Sequence, residues 1–413
     1  MAAAEWKRNL GILWTAQFIG MSAITGVISF LPLFVSHLGV TDTAEAAMWS
    51  GILIGAAAFC AALSNPFWGA IADRKGRKPM VEKTLLLFGL FIITMSLVTN
   101  VYQMLTLRML QGLCGGFSAS VTALAVSMAP KEKIPSTVGL LQTSLIVGGA
   151  TGPMIGGVIA DHFGYRQPFL VFGGLCILSF IVIHFSVKET FSPSTKAKAS
   201  SLKETFHDVW SLTDLKLMLL VLFLTQFAIN CIGPILPLYI QQMGASQENL
   251  ASISGIIIAI AGLTSAIASA SMGMLSRRFS PKQILVVSSL LGGISFFGQL
   301  VAHDLITLAV LRAINGLCIG AMIPTSNTIV TYLIPESKQG AAFGITSGAS
   351  LMGNLLGPLS AGILSMVFGL SSIFWSTALL FFFVSLLLFM RQEARPDTGL
   401  EGNRFPSAAP VKQ

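Results

Sequence analysis

Twelve runs of apolar residues, at roughly 9–35, 48–70, 80–99, 102–128, 137–160, 166–187, 214–241, 250–275, 282–301, 304–332, 339–365 and 368–390, dominate this 413-residue chain. About 20 residues is the length a helix needs to cross a hydrocarbon core about 30 Å thick. In that core no water satisfies the peptide groups, so each run must close its hydrogen bonds internally. Charged residues make up 10% of the chain, where a soluble domain carries about 25%. The expected fold is an all-α membrane protein of twelve transmembrane helices.

The net charge of +8 would suit a nucleic-acid partner if it formed a stripe, but it is partitioned by connection. Lys7 and Arg8 precede the first run; Arg74, Lys75, Arg77, Lys78 and Lys83 surround the second connection. Lys131 and Lys133, then Lys188 to Lys216, then Arg277, Arg278 and Lys282, then Lys338, follow in the other even-numbered connections. The odd-numbered ones hold Arg166 against Asp42, Glu45, Asp161, Glu248 and Asp304. This asymmetry places both termini in the cytoplasm by the positive-inside rule, and no basic stripe is left to bind nucleic acid. The five cysteines all fall inside apolar runs without metal-ligand or disulfide spacing and read as small packers. The first run is too long for a cleaved leader and lacks a small-residue cleavage site, so it is expected to stay as a helix.

The second half of the chain echoes the first. Leu31-Pro32-Leu33 recurs as Leu236-Pro237-Leu238, Ser50-Gly51-Ile52 as Ser254-Gly255-Ile256, and Leu107-Arg108 with Gln111-Gly112 as Leu311-Arg312 with Asn315-Gly316. Gly152-Pro153 returns as Gly357-Pro358, and the offset holds at 204 to 205 residues throughout. Such parallel repeats of six spans build a large class of secondary transporters whose site lies near the midplane between the halves. Residues 1–187 and 214–390 are thus expected as two pseudo-symmetric six-helix bundles. A polar Ser/Lys-rich linker over 188–213 joins them, with a short surface helix over 202–212, and the tail 391–413 is expected to be disordered.

Three motifs carry a family resemblance. Gly69-Ala-Ile-Ala-Asp73-Arg74-Lys75-Gly76-Arg77-Lys78 resembles the signature loop between the second and third helices of the major facilitator superfamily. Gly76 suits a tight turn, and Asp73 can face the positive end of a helix. The resemblance implies that this loop latches the two halves in the outward-facing state, with Arg77 joined to an acidic partner, for which Glu132 is the candidate. The plainer reading is a basic stop signal. The equivalent second-half loop, Gly273 to Lys282, has no Asp. Gly148-Gly149-Ala-Thr-Gly152-Pro153-Met-Ile-Gly156-Gly157 resembles the fifth-helix motif of the antiporters in this superfamily, which implies export. Gly148, Gly152 and Gly156 form one groove for close helix packing, and Pro153 removes a backbone bond. Arg108, Gln111 and Gly112 resemble the fourth-helix motif. Over about residues 5–390 the chain is similar to the twelve-span drug:proton antiporter group, with Trp6-Lys7-Arg8-Asn9-Leu10 and Asn65-Pro66-Phe67-Trp68-Gly69 similar to its multidrug exporters.

An Arg inside an apolar run is a functional hypothesis by default, although snorkelling to the interface is the alternative for Arg108 and more so for Arg312. Gln111 lies one turn from Arg108 on the same face. Gln17, Arg108, Gln111, Gln142, Gln226, Asn230 and Arg312 are the candidate cavity or coupling residues. Phe and Met are abundant, at 28 and 17, which suits amphipathic compounds held by shape. No Asp or Glu falls deep inside a run, so proton coupling follows from the resemblance; Asp73, Glu132, Asp161, His162 and His184 are the titratable candidates. No nucleotide-binding glycine loop or paired carboxylate site supports an enzyme or an ATP-driven pump. The expectation is a monomeric, multi-pass exporter in a bacterial cytoplasmic membrane. It would move small amphipathic molecules by alternating access, with the proton gradient in place of any cofactor or metal. Export of one specific metabolite is the alternative.

Overall fold

The computed structural model describes residues 2–187, 189, 213–333 and 339–390, and these residues form helices and turns without a strand. The first helix runs Ala2–His37, the second Thr43–Lys75, the third Lys78–Met95, the fifth Ile134–Phe163 and the sixth Gln167–Ser186. In the second half the eighth runs Leu250–Leu275, the ninth Pro281–Gly298, the tenth Leu305–Leu333, the eleventh Gln339–Phe368 and the twelfth Ser372–Met390. The fourth and seventh spans are each two helices, Val101–Leu113 with Phe117–Met128 and Thr213–Ile232 with Leu236–Gln242. Among the described residues, eleven stretches are long and apolar enough to cross a membrane. The third helix falls outside that set because Lys78, Glu82 and Lys83 occupy its first turns.

The helix starts follow local chemistry. Asp42 accepts from the Glu45 N–H at 2.8 Å, Asn100 accepts from the Gln103 N–H at 3.0 Å, and Ser280 forms a capping box with Gln283. Each satisfies a first-turn donor that has no partner within its helix.

Neither break was expected from the apolar pattern. Gly116 at φ +89° interrupts the fourth span, and the second helix supplies bonds to the carbonyls left behind. Ser64 Oγ donates to the Gly112 carbonyl at 3.1 Å, and Trp68 Nε1 to the Leu113 carbonyl at 2.7 Å. Gly233 and Pro234 interrupt the seventh, where the proline has no N–H to give.

Glycine determines which helices touch. A Cβ at Gly148 would meet the Phe18 carbonyl, and one at Gly156 the Gly26 carbonyl, so the first and fifth helices pack backbone to backbone. Gly353 and Gly357 do the same against Phe223 and Phe227 in the second half, the repeat counterparts of Gly148 against Phe18 and Gly152 against Ser22. Between halves, Gly51 abuts the Pro358 carbonyl, and Gly255 abuts the Pro153 carbonyl. These two contacts are exchanged by the pseudo-two-fold. Outward faces remain apolar: Phe185, Met274 and Ile306 are each 78% exposed, as a lipid-facing surface requires.

Of the polar connector, Glu189 is described; the expected surface helix over 202–212 and the tail 391–413 lie outside the described residues.

Candidate functional site: a path between the two halves

A cavity of about 1050 Å³ lies between the halves at the end where the even-numbered connections sit. Asn65, Gly69, Arg77, Ser118 and Gln142 line it from the first half, and Asn327, Ser347 and Ser350 from the second. A smaller pocket of about 250 Å³ lies deeper, lined by Thr25, Ser29, Asn230, Arg312 and Asn315. Beyond it the path is sealed by the glycine contacts of the second helix with the eleventh and of the fifth with the eighth.

The seven candidate cavity residues separate into three groups. Gln142 lines the large cavity, and Asn230 and Arg312 line the deeper pocket. Asn230 donates to the Gln226 carbonyl one turn away at 2.8 Å and to Asn354 Oδ1 at 2.9 Å, whereas Gln226 lines neither of the two cavities and its Cβ packs against Gly353. Gln17 is fully buried and donates to Ser118 Oγ at 3.1 Å, one layer from the large cavity. Arg108 and Gln111 are buried together, Arg108 Nη1 donating to Gln111 Oε1 at 3.2 Å. Nε and Nη2 of Arg108 and Nε of Arg312 are buried without a hydrogen-bond partner. Both guanidinium groups therefore sit deep in the bundles rather than snorkelling to an interface. A buried polar group without a partner costs about 1–3 kcal/mol, more when charged.

At the signature loop, Gly76 takes φ +101° and ends the second helix. The acid that orders the turn is Glu189. Its two oxygens accept from the Arg77 and Lys78 N–H groups at 3.0 and 2.9 Å, capping the third helix. Arg77 Nη1 donates to the Ala123 carbonyl at 2.9 Å, Lys78 Nζ to the His184 carbonyl at 2.8 Å, and Glu132 is exposed. The side chains of Asp73 and Arg74 lie outside what the structure describes. On the fifth helix the motif has two faces: Gly148, Gly152 and Gly156 meet the first helix, while Pro153 and Gly157 meet the eighth helix of the second half, and Gly149 lines the deeper pocket.

Several polar groups were missed from sequence. Ser22, Thr25 and Ser29 recur at helical spacing on the first helix; Ser29 Oγ lies within bonding distance of the Pro153 carbonyl, at 3.3 Å. That periodicity within an apolar run was the available signal. Lys83, read as part of the basic connection, has its Nζ buried without a hydrogen-bond partner, 3.1 Å from the Trp68 ring centroid.

Comparison with known proteins agrees with this architecture. The sequence model of the Major Facilitator Superfamily matches residues 13–269 and 218–412. Multidrug resistance protein MdtG of Rahnella sp. (strain Y9602) is 32% identical over 399 residues, 96% of each chain. MdtG of Escherichia coli (strain K12 / DH10B) is 34% identical over 377 residues, 91% of this chain and 92% of that one. Among solved structures, a bacterial homolog to the human lysosomal transporter Spinster, inward-facing and unoccupied, matches with TM-score 0.79 at 16% identity, covering 94% and 96% of the two chains. The nucleoside transporter NupG matches with TM-score 0.79 at 12% identity, covering 94% and 100%. The family accounts for the paired bundles and the path between them: this chain belongs to the major facilitator superfamily and is a multi-pass membrane transporter.

Proposed function

We propose that the chain exports small amphipathic compounds by alternating access, exchanging them for protons that enter down their gradient. One observation carries the reading: a cavity of about 1050 Å³ opens between the halves at the basic end, while the opposite end is shut by backbone contacts. By the charge asymmetry that open end faces the cytoplasm of a bacterial cell, with both termini there. Relatives named as multidrug resistance proteins over nearly the whole chain support export of varied compounds. A largely apolar deep pocket with a few amides and one guanidinium suits amphipathic cargo. Each chain holds a complete path, so the working unit is the monomer. Proton coupling rests on kinship, since the described Asp and Glu residues lie at helix ends.

The test is export by purified protein in liposomes with a pH gradient imposed and then collapsed. An amphipathic dye should move against its gradient while the pH difference lasts and stop when an uncoupler removes it. Movement unaffected by the uncoupler would overturn the coupling. No movement across a broad panel of amphipathic compounds would overturn the multidrug reading.

A further inference from the structure

The last eight residues around the end of the fifth helix, Gly157-Val-Ile-Ala-Asp161-His-Phe-Gly164, repeat those of the second, Gly69-Ala-Ile-Ala-Asp73-Arg-Lys-Gly76, at five positions. The backbone repeats too. Gly76 and Gly164 take φ +101° and +94°, and their N–H groups bond to the Ala72 and Ala160 carbonyls at 3.1 and 2.9 Å. Three-helix inverted units within each bundle make the second and fifth helices equivalents that end on opposite sides of the membrane. The same turn therefore stands at both ends of the path.

At the sealed end the carboxylate of that turn crosses to the other half. Asp161 Oδ1 accepts from the Ala251 N–H at 3.1 Å, and Oδ2 from the Ser252 N–H at 2.6 Å. These are first-turn donors of the eighth helix, Leu250–Leu275, whose own N-cap residue Asn249 makes no side-chain cap bond. The eighth helix thus receives its cap from the opposite bundle. Charge-assisted bonds to a helix N-terminus are the strong kind, favoured again by the helix dipole. Beside them a Cβ at Gly157 would strike the Ala251 carbonyl, so the bonds exist while the two helices touch and must break when they part.

We infer that Asp161 is the latch that holds this end of the path shut, in the position that Asp73 occupies at the opposite end. The other acidic caps on this side stay within one half: Asp42 bonds Glu45, and Asp304 bonds Thr307. Opening the sealed end costs the bundle pair two bonds through Asp161 and none through Asp42 or Asp304.

The test uses the full chain in nanodiscs with spin labels at Thr99→Cys and His303→Cys, both exposed in sealed-end connections of opposite halves, in a background with the native cysteines replaced. Wild type should give mainly the short separation. Asp161→Asn and Asp161→Ala should each raise the ratio of wide to narrow populations roughly tenfold, and Asp42→Asn should leave it unchanged. Unchanged distributions in both Asp161 variants, or an equal shift in Asp42→Asn, would overturn the latch. The isosteric Asn variant carries the test alone if the Ala variant does not fold. The inference rests on the alternation proposed above but not on its cargo; the distances are read without substrate, so the export assay can fail separately.

Discussion

Arg108 is a guanidinium in a helix interior with a single amide partner and, among the described residues, no carboxylate beside it. Packing does not explain it, because an apolar side chain of similar volume would avoid the desolvation cost. Arg108→Met should therefore leave the melting temperature in detergent unchanged or higher while lowering export at least about tenfold, the loss expected when a polar contact of about 1.4 kcal/mol disappears from the working cycle. Equal losses of stability and transport would make its role structural. Tyr165, in the turn after Asp161, offers a second residue-scale test. Burial first and the Asp161 charge second push its phenol above the ordinary tyrosine range. In an unfolded chain the phenol ionises near pH 10, so folding loses stability as the pH rises past that point. Asp161→Asn removes the second cause, and the Tyr165 absorbance change should move to lower pH. The Arg108–Gln111 pair was legible because three residues of helix put both on one face. Glu189 was not, since a carboxylate that accepts from backbone N–H groups leaves no partner in the sequence to point to it.

Among the elements, twelve spans and their repeat could be read from apolar length and spacing. The breaks in the fourth and seventh could not, because hydropathy runs unbroken through Gly115-Gly116 and Gly233-Pro234, and membrane helices tolerate such residues when neighbours satisfy the freed groups. Trp68 is one such neighbour. Trp68→Phe keeps the ring beside Lys83 but loses the bond to the Leu113 carbonyl, and should lower stability by about 1 kcal/mol in thermal melts. The glycine motif of the fifth helix was visible as a four-residue period, but which partner it met was not. In the structure a Cβ at Gly156 lies 2.6 Å from the Gly26 carbonyl, a backbone atom that cannot turn aside, whereas one at Gly174 meets nothing within 4 Å. Gly156→Ala should therefore cost about 1–3 kcal/mol by overpacking, and Gly174→Ala should not.

At the scale of the whole molecule, the sealed end rests on two contacts that the pseudo-two-fold exchanges. Gly51 meets the Pro358 carbonyl in one, and Gly255 meets the Pro153 carbonyl in the other. Both join opposite halves, while Gly152 meets Ser22 and Thr25 within one half. A side chain wedged into an inter-half contact is relieved by parting the halves at that end. The same wedge inside a bundle has no such relief. Gly51→Val and Gly255→Val should therefore both widen the Thr99–His303 separation and keep their melting temperatures, since the strain is released by a motion the cycle already uses. Gly152→Val should leave the separation unchanged and lose stability. Because the two inter-half sites are equivalent by symmetry, they should also agree with each other. If only one opened the sealed end, the halves would pivot about the other contact as a hinge rather than rocking as rigid bundles.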